Sequence, residues 1–600
     1  MIIQSLQEYY ERLDKDPLSG IAPMGYSKAK VAFAFNLSEN GELLDIFPLY
    51  EVKGNKKISR EMLVPEQVKR SSGVNANCLC DNSSYVLGID NKGKEQRSRD
   101  CFMAFKELHN EILTGVVDEG AKAVLVFLNS REAGQFSEKT LQDNMEQLLE
   151  GGNIVFRLDG ADGYIHERAP IRKAWEKYQE TDKTDAYIAQ CLVSGEKGPV
   201  ALLHPSIKGV RGAQSSGASI VSFNDDAYVS YGKKQSYNAP VSVNTTFAYT
   251  TALNYLLSNP KNRIKIGDTT VVFWAEREPE ENLIAAFFDP PEEPKEQEMA
   301  QIDHASIQKI RDILMQLRDG KKPPNVDIDE RTRFYILGLA PNAARISIRY
   351  YYQGEFGTLM KNVGLHYADM LVVLPKDYRP VFPPVWRILM ETATGGKTEN
   401  IPPILGGALM RTILSGGAYP QSLYSVILSR IRADSIVNPI RTGIIKACLL
   451  RQFRINGQKE KEDVIKMSLN PENTAPGYLL GRLFALLEIA QQDSADTKLN
   501  ATIVDRCYGT ASTTPAAIFP MLVKLSKHHL KKIKSTKPGL GYALDNKMQE
   551  VVNVLDDTKG LPRYLNLDEQ GLFVLGYYQQ KQDWYTSKEK QGGIIDGDNN

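Results

Sequence analysis

The tightest constraint on this chain is a change of hydropathy period along its length. Residues 30–37 read KVAFAFNL, an alternation that puts Val31, Phe33, Phe35 and Leu37 on one face of a strand. Asn40-Gly41 follows, and then a second apolar run from Glu42 to Tyr50. An Asn-Gly pair between two such runs predicts a β-hairpin, because both turn residues reach positive φ at little cost. Beyond Pro402-Pro403 the apolar residues instead recur at i, i+3 and i+4 with few β-branched runs, the period of packed helices. The two patterns in one chain predict an α+β protein. Its N-terminal part is mixed α/β with β-hairpins, and its C-terminal part is mostly helical and ends in a helix bundle.

Between these extremes, 85–89, 123–128 and 153–158 read as strands, and 101–113 and about 138–150 as helices. Residues 289–300, DPPEEPKEQEMA, have the composition of an exposed linker and close a first region, 1–290. A connecting region, 301–465, opens with a helix over 307–317 and continues with strands over 334–339 and 346–352 before turning helical. In the second of these strands Arg345, Ser347, Arg349 and Tyr351 alternate with Ile346, Ile348 and Tyr350, which predicts one basic face and one buried face.

Lys+Arg and Asp+Glu both number 73, so net charge gives no preference for a charged partner, and any such partner must be met locally. The longest apolar runs fall far short of the roughly 18 residues of a membrane span. The opening MIIQSLQEYYERLDKD lacks the apolar stretch of a secretory signal, so a cytoplasmic chain without a membrane partner is expected. Six scattered cysteines form no disulfide framework, and reduced thiols are expected.

Catalytic motifs are missing. Gly395-Gly396-Lys397-Thr398 fails as a phosphate-binding loop because position 391 is Glu rather than Gly. Cys78-Leu79-Cys80 has no second pair at zinc-ligand spacing, and the adjacent His528-His529 point about 100° apart on a helix, so no metal and no cofactor is expected.

Three places set cations among Gly, Asn, Gln and Ser. Lys69, Arg70, Asn75 and Asn77 occupy a loop. Lys208, Arg211 and Gln214 lie in a Gly-rich stretch, with Lys233, Lys234, Gln235 and Asn238 some twenty residues on. Lys524, Lys527, Lys531 and Lys534 form one stripe of a helix whose Leu522, Leu525, Leu530 and Ile533 lie opposite. Asn and Gln suit base edges, Lys and Arg suit phosphate or guanine, and Gly permits close backbone approach. Each signal has a plain competitor. A lysine face is often only solvated, a Gly-rich loop only a turn, and Arg345 and Arg349 can pair with acids of a neighbouring element. Three such sites together point to nucleic acid.

The strings VPEQVKRSSGVNANCLCDNSSYVLGID (64–90), IKGVRGAQSSGASIVSFNDDAYVSYGKKQSYNAPVS (207–242), FYILGLAPNAARISIRYYY (334–352) and GLFVLGYYQQKQDWYT (571–586) carry a resemblance. They resemble the large-subunit family of the type I-C CRISPR surveillance complex, Cascade. That resemblance implies a non-enzymatic subunit that contacts the 5′ end region of the guide RNA (crRNA) and reads the protospacer-adjacent motif (PAM) in double-stranded DNA. Such a subunit holds the R-loop, and the complex recruits a separate helicase-nuclease. It also implies as partners the Cascade backbone and crRNA 5′-end subunits and the small subunits. In this family an internal start yields a separate small subunit, and Met467 stands where such a start would lie. That makes 467–600 a C-terminal bundle resembling the small subunit. On this reading the Asn and Gln residues of the first two sites are candidate base readers, and the lysines and arginines, Arg345 and Arg349 included, are phosphate anchors. Two other readings stay open: a metal-dependent nuclease built on Asp225 and Asp226 with Asp159 or Asp162, and a general RNA-binding scaffold without PAM sensing.

Overall fold

The computed structural model describes residues 1–53, 56–68, 70, 73–181, 187–223, 225–291, 304–323, 328–376, 378–497, 499–558 and 560–595. The chain forms two compact units. The first comprises Met1–Gly209, Ala213–Ser258 and Asn342–Ile346, and the second Val210–Gly212, Asn259–Pro341 and Ser347–Asn600. The main division thus falls at Ser258 rather than in the stretch 289–300, of which residues 292–300 lie outside the described ones.

The first unit is built on a sheet of β1 (Tyr26–Leu37), β2 (Leu43–Pro48), β3 (Tyr50–Lys53), β4 (Lys56–Pro65), β5 (Cys80–Asn82) and β6 (Asn153–Leu158). Its order is β3-β4-β1-β6-β5, with β2 also on β1. The expected hairpin is present, with Leu37 opposite Leu43 and Phe35 opposite Ile46. Gly41 at its turn has φ +77°, and a Cβ there would lie 2.7 Å from Val126 Cβ, so conformation and packing both require glycine. Phe33, Phe35 and Leu37 enter one core, where Phe35 meets Phe127 and Phe156 edge to face at 6.1 Å. Val31 belongs with Ala34 on the other face, contrary to the alternation, because the β1–β6 register shifts between Val31 and Phe33.

Two sequence expectations change here. Residues 123–128 are not a strand but part of the helix Glu119–Asn129, which Asp118 caps by accepting from Ala121 N (3.1 Å). Its buried residues Gly120, Ala123, Val124 and Phe127 follow the helical period, which the unbroken apolar run concealed. Residues 83–86 form a short helical turn capped by Asn82 where a strand over 85–89 was expected. A two-stranded sheet, β7 (Ile188–Gln190) with β8 (Lys197–Pro199), completes the strands of this unit.

The second unit holds β9 (Arg263–Ile266), β10 (Thr269–Ala275) and all but the joined ends of β11 (Arg333–Asn342) and β12 (Arg345–Glu355), in the order β12-β11-β10-β9. Ile266, Val271, Phe273, Phe334, Ile336 and Tyr350 face a core that continues through the helices to the C-terminal region. There the helices Pro476–Ser494 and Leu567–Ile595 pack closely. A Cβ at Gly481 would lie 2.1 Å from Phe573 O, and one at Gly576 would lie 2.2 Å from Tyr478 O. The helices after residue 467 share this core with the helix Pro439–Ile455, and Tyr424 Oη donates to Leu567 O (2.8 Å). The fold is α+β, as expected. Among the described residues no helix is long and apolar enough to cross a membrane.

Candidate nucleic-acid interface

The loop between β4 and β5 is held from inside. Arg70 donates from Nη1 to Asp81 Oδ1 (3.1 Å) and from Nη2 to the other oxygen, while its Nε holds the carbonyl of Asn75 (2.7 Å). Its guanidinium also stacks 3.9 Å from the centre of the Tyr85 ring. Asp81 is wholly buried, and burial holds its carboxyl above the ordinary range despite the arginine beside it. The same carboxylate accepts from Asn77 N and Asn82 N. Asn77 is buried too, its Oδ1 accepting from Val68 N (2.8 Å) and its Nδ2 donating to Gln67 Oε1 (2.9 Å). Arg70 and Asn77 therefore build this loop in this conformation, their polar groups bonded within it. Asn75 stands at the exposed tip, its backbone fixed by Arg70 and Tyr85 Oη (3.3 Å). Lys69 lies outside the described residues.

A neighbouring clamp supports the loop. His109 Nε2 accepts from Leu79 N (2.9 Å) while Nδ1 meets Phe105 O (2.6 Å), which fixes a neutral tautomer; burial depresses its pKa to about 4. The flanking thiols of Cys78 and Cys80 are buried and pushed upward by desolvation.

In the Gly-rich stretch, Lys208, Arg211 and Gln214 are exposed. Their backbone is anchored: Lys208 N donates to Asn254 Oδ1 (2.8 Å) and Arg211 N to Thr270 Oγ1 (3.1 Å). The close approach that glycine permits here is internal, since a Cβ at Gly217 would lie 2.8 Å from Ser206 Cβ. Lys265, which no sequence pattern singled out, carries an exposed ammonium held below its ordinary pKa by partial burial and by the Arg211 guanidinium.

From Tyr228 to Asn238 the chain forms a narrow tip. Asn238 staples it, with Oδ1 accepting from Ser230 N (3.0 Å) and Nδ2 donating to Lys233 O (2.8 Å) and Gln235 O (2.9 Å). Its amide is engaged in the turn, so in this conformation Asn238 is a staple. Lys234 is exposed and Lys233 and Gln235 are half-buried. Arg345 meets this segment, lying 4.6 Å from the centre of the Tyr228 ring and donating to Tyr228 Oη (3.2 Å). Arg349 pairs with the half-exposed Asp268 (3.0 Å), and Ile348, expected in the core, is 39% exposed.

The lysine helix spans Pro515–Thr536. Leu522, Leu530 and Ile533 are buried, but Leu525 is exposed, contrary to expectation. Lys524, Lys527 and Lys531 are exposed and make no ion pair among the described residues, whereas Lys534 pairs with Asp545 (2.5 Å) and lies over Tyr542. His528 is exposed and His529 reaches Ser494 Oγ (2.8 Å). Met467 is 44% exposed, in the segment before the helix Pro476–Ser494.

The acids of the nuclease reading are apart in role. Asp225 caps Ala227 N (2.9 Å) and Asp159 accepts from Asn36 (2.8 Å). Among the described residues no three His, Cys, Asp or Glu side chains gather as a metal site.

A loop stapled beneath one exposed asparagine, an anchored Gly-rich stretch, a cationic tip and a lysine-faced helix define a candidate nucleic-acid-binding protein. The family model described as CRISPR-associated protein (Cas_Csd1) matches residues 6–585, and the chain belongs to that family. Membership indicates a Cascade large subunit. Among curated proteins none matches the chain.

Proposed function

We propose that this chain is the non-catalytic large subunit of a type I-C Cascade. On this reading it contacts the crRNA end with its neighbouring subunits, reads the PAM in double-stranded DNA, stabilises the R-loop and supports recruitment of the helicase-nuclease. Base pairing then selects the target while the protein reads the short motif, the division of labour known for another effector class. One observation carries the reading: Arg70, paired with the buried Asp81, holds the Asn75 carbonyl and so fixes the backbone beneath a side-chain amide that is exposed and makes no bond of its own among the described residues. An asparagine side-chain amide complements the acceptor and donor that adenine presents in the major groove. Gln214 is the second exposed amide in this proposal.

The test is binding of reconstituted Cascade carrying Asn75→Ala or Gln214→Ala to duplexes with and without the PAM. Removing a bidentate amide from a base edge costs about 1–3 kcal/mol of discrimination, so affinity for the PAM duplex drops roughly 5- to 150-fold while that for the PAM-less duplex holds. Equal losses on both duplexes would reduce these residues to positioning. Magnesium-dependent cleavage of plasmid by the purified chain would contradict the non-catalytic assignment.

A further inference from the structure

The tip of the segment 228–238 is a two-residue turn. Ser230 and Lys233 form an antiparallel bridge, Lys233 N donates to Ser230 O (3.0 Å), and the two residues between them, Tyr231 and Gly232, have φ of +51° and +70°. Positive φ at both central positions is the type I′ arrangement, for which Asn-Gly is the favoured pair. A tyrosine in its first position is strained by its own Cβ, and such strain persists only where the surroundings enforce it. The Asn238 staple enforces it. The energy stored there gains no internal packing: the Tyr231 side chain is 98% exposed, with no hydrogen bond or ring contact among the described residues. Lys233 and Lys234 follow at once.

We propose that Tyr231 is a base-stacking residue, its ring lying against the face of an unpaired nucleobase while Lys233 and Lys234 hold the adjoining phosphates. The inference rests on the nucleic-acid reading above and deepens it. Tyr228 and Val229, just before Tyr231 in the chain, are part-exposed too, but an apolar pocket in another protein would give no partner to the lysines, whereas a planar π-surface next to negative charge matches both the ring and the cations. Stacking of this kind is tolerant of sequence and needs an unstacked base. The staple pre-organises the backbone of the tip, so little backbone freedom remains to be lost on binding.

The experiment uses the full chain in reconstituted Cascade with three DNA probes: a single strand, a duplex with an unpaired bubble and a fully paired duplex, with 2-aminopurine in the first two. Tyr231→Asn keeps the turn, since asparagine is at home at positive φ, and Tyr231→Phe keeps the ring. The expected result is that Tyr231→Asn weakens single-strand and bubble binding about tenfold and loses 2-aminopurine quenching, leaves the paired duplex unaffected and does not lower Tm, while Tyr231→Phe matches the parent chain. Unchanged affinity and quenching with Tyr231→Asn would overturn stacking yet leave the nucleic-acid reading standing. Equal weakening on all three probes would also overturn it, as would loss of a neighbouring subunit from the Tyr231→Asn complex, which marks a protein contact. Failure of the parent complex to bind any of the probes would instead remove the reading on which the proposal rests.

Discussion

The loop from Glu66 to Asn82 and the tip from Tyr228 to Asn238 use the same device with different results. In both, a buried or half-buried asparagine amide closes the loop, Asn77 by holding Val68 N and the Gln67 side chain nine and ten residues earlier, and Asn238 by holding the backbone of Ser230, Lys233 and Gln235. The first loop adds a cation, but Arg70 faces inward to Asp81, and what remains outside is the neutral amide of Asn75. Among the described residues the tip has no such internal acid for its lysines, so charge stays at the surface beside a projecting ring. A basic residue in a polar loop is therefore no guide to a phosphate site until its nearest carboxylate is known. The first loop is organised for shape-specific contact and the second for charge and stacking.

Breaking the Arg70–Asp81 pair is the largest test of that contrast. Arg70→Ala leaves a buried carboxylate without its partner, and loss of a buried pair costs about 3–5 kcal/mol. Urea denaturation should show this loss, and the double change Arg70→Met with Asp81→Asn, which removes the buried charge and keeps an acceptor for the Asn77 and Asn82 amides, should recover part of it but not the PAM preference. A stability change below about 1 kcal/mol in Arg70→Ala would mean that the pair does not hold the loop.

A pH titration comes next. His109, His204 and His366 are buried with pKa values lowered to about 4, about 4 and about 3, chiefly by desolvation. A base held below its unfolded value near 6.5 binds a proton in the unfolded chain before the folded one, so stability is complete above pH 6.5 and falls as pH drops towards 4. The urea midpoint should decline over that window, and His109→Gln should flatten the share that belongs to the first loop.

The open lysines sharpen the comparison through salt. Replacing Lys524, Lys527 and Lys531 by Gln should reduce the slope of log affinity against log salt by about 0.9 for each phosphate no longer neutralised, without changing PAM discrimination. Arg70→Gln, by contrast, should leave the slope alone. The smallest effect is expected at the tip, where Asn238→Ala should cost about 1 kcal/mol and speed hydrogen exchange at Ser230 N, whose acceptor is removed.

The contrast also shows what a single sequence makes legible. The Asn40-Gly41 hairpin, β6, β11, β12 and the helices beyond Pro402 were readable because their periods are unambiguous over many residues. Residues 123–128 were not, because a run apolar at every position fits a strand and a buried helix alike, and only the Asp118 cap decides. The register shift that turns Val31 to the other face is a property of strand pairing and leaves no local mark. At the candidate site, residue type located the loops but not the direction in which each side chain faces. Asp81 was the missing information for Arg70, as was Ser230 for Asn238. Tyr231 had a signal, the following glycine of a two-residue turn, but its strain is visible only in φ.

The most direct test of the central claim is binding of reconstituted Cascade, with and without this chain, to duplexes that differ only in the PAM, across a salt series. The account predicts discrimination that appears only when the chain is present and survives as rising salt lowers total affinity. Added affinity without discrimination at any salt concentration would contradict it, leaving a phosphate-binding scaffold and placing the PAM reader in a neighbouring subunit.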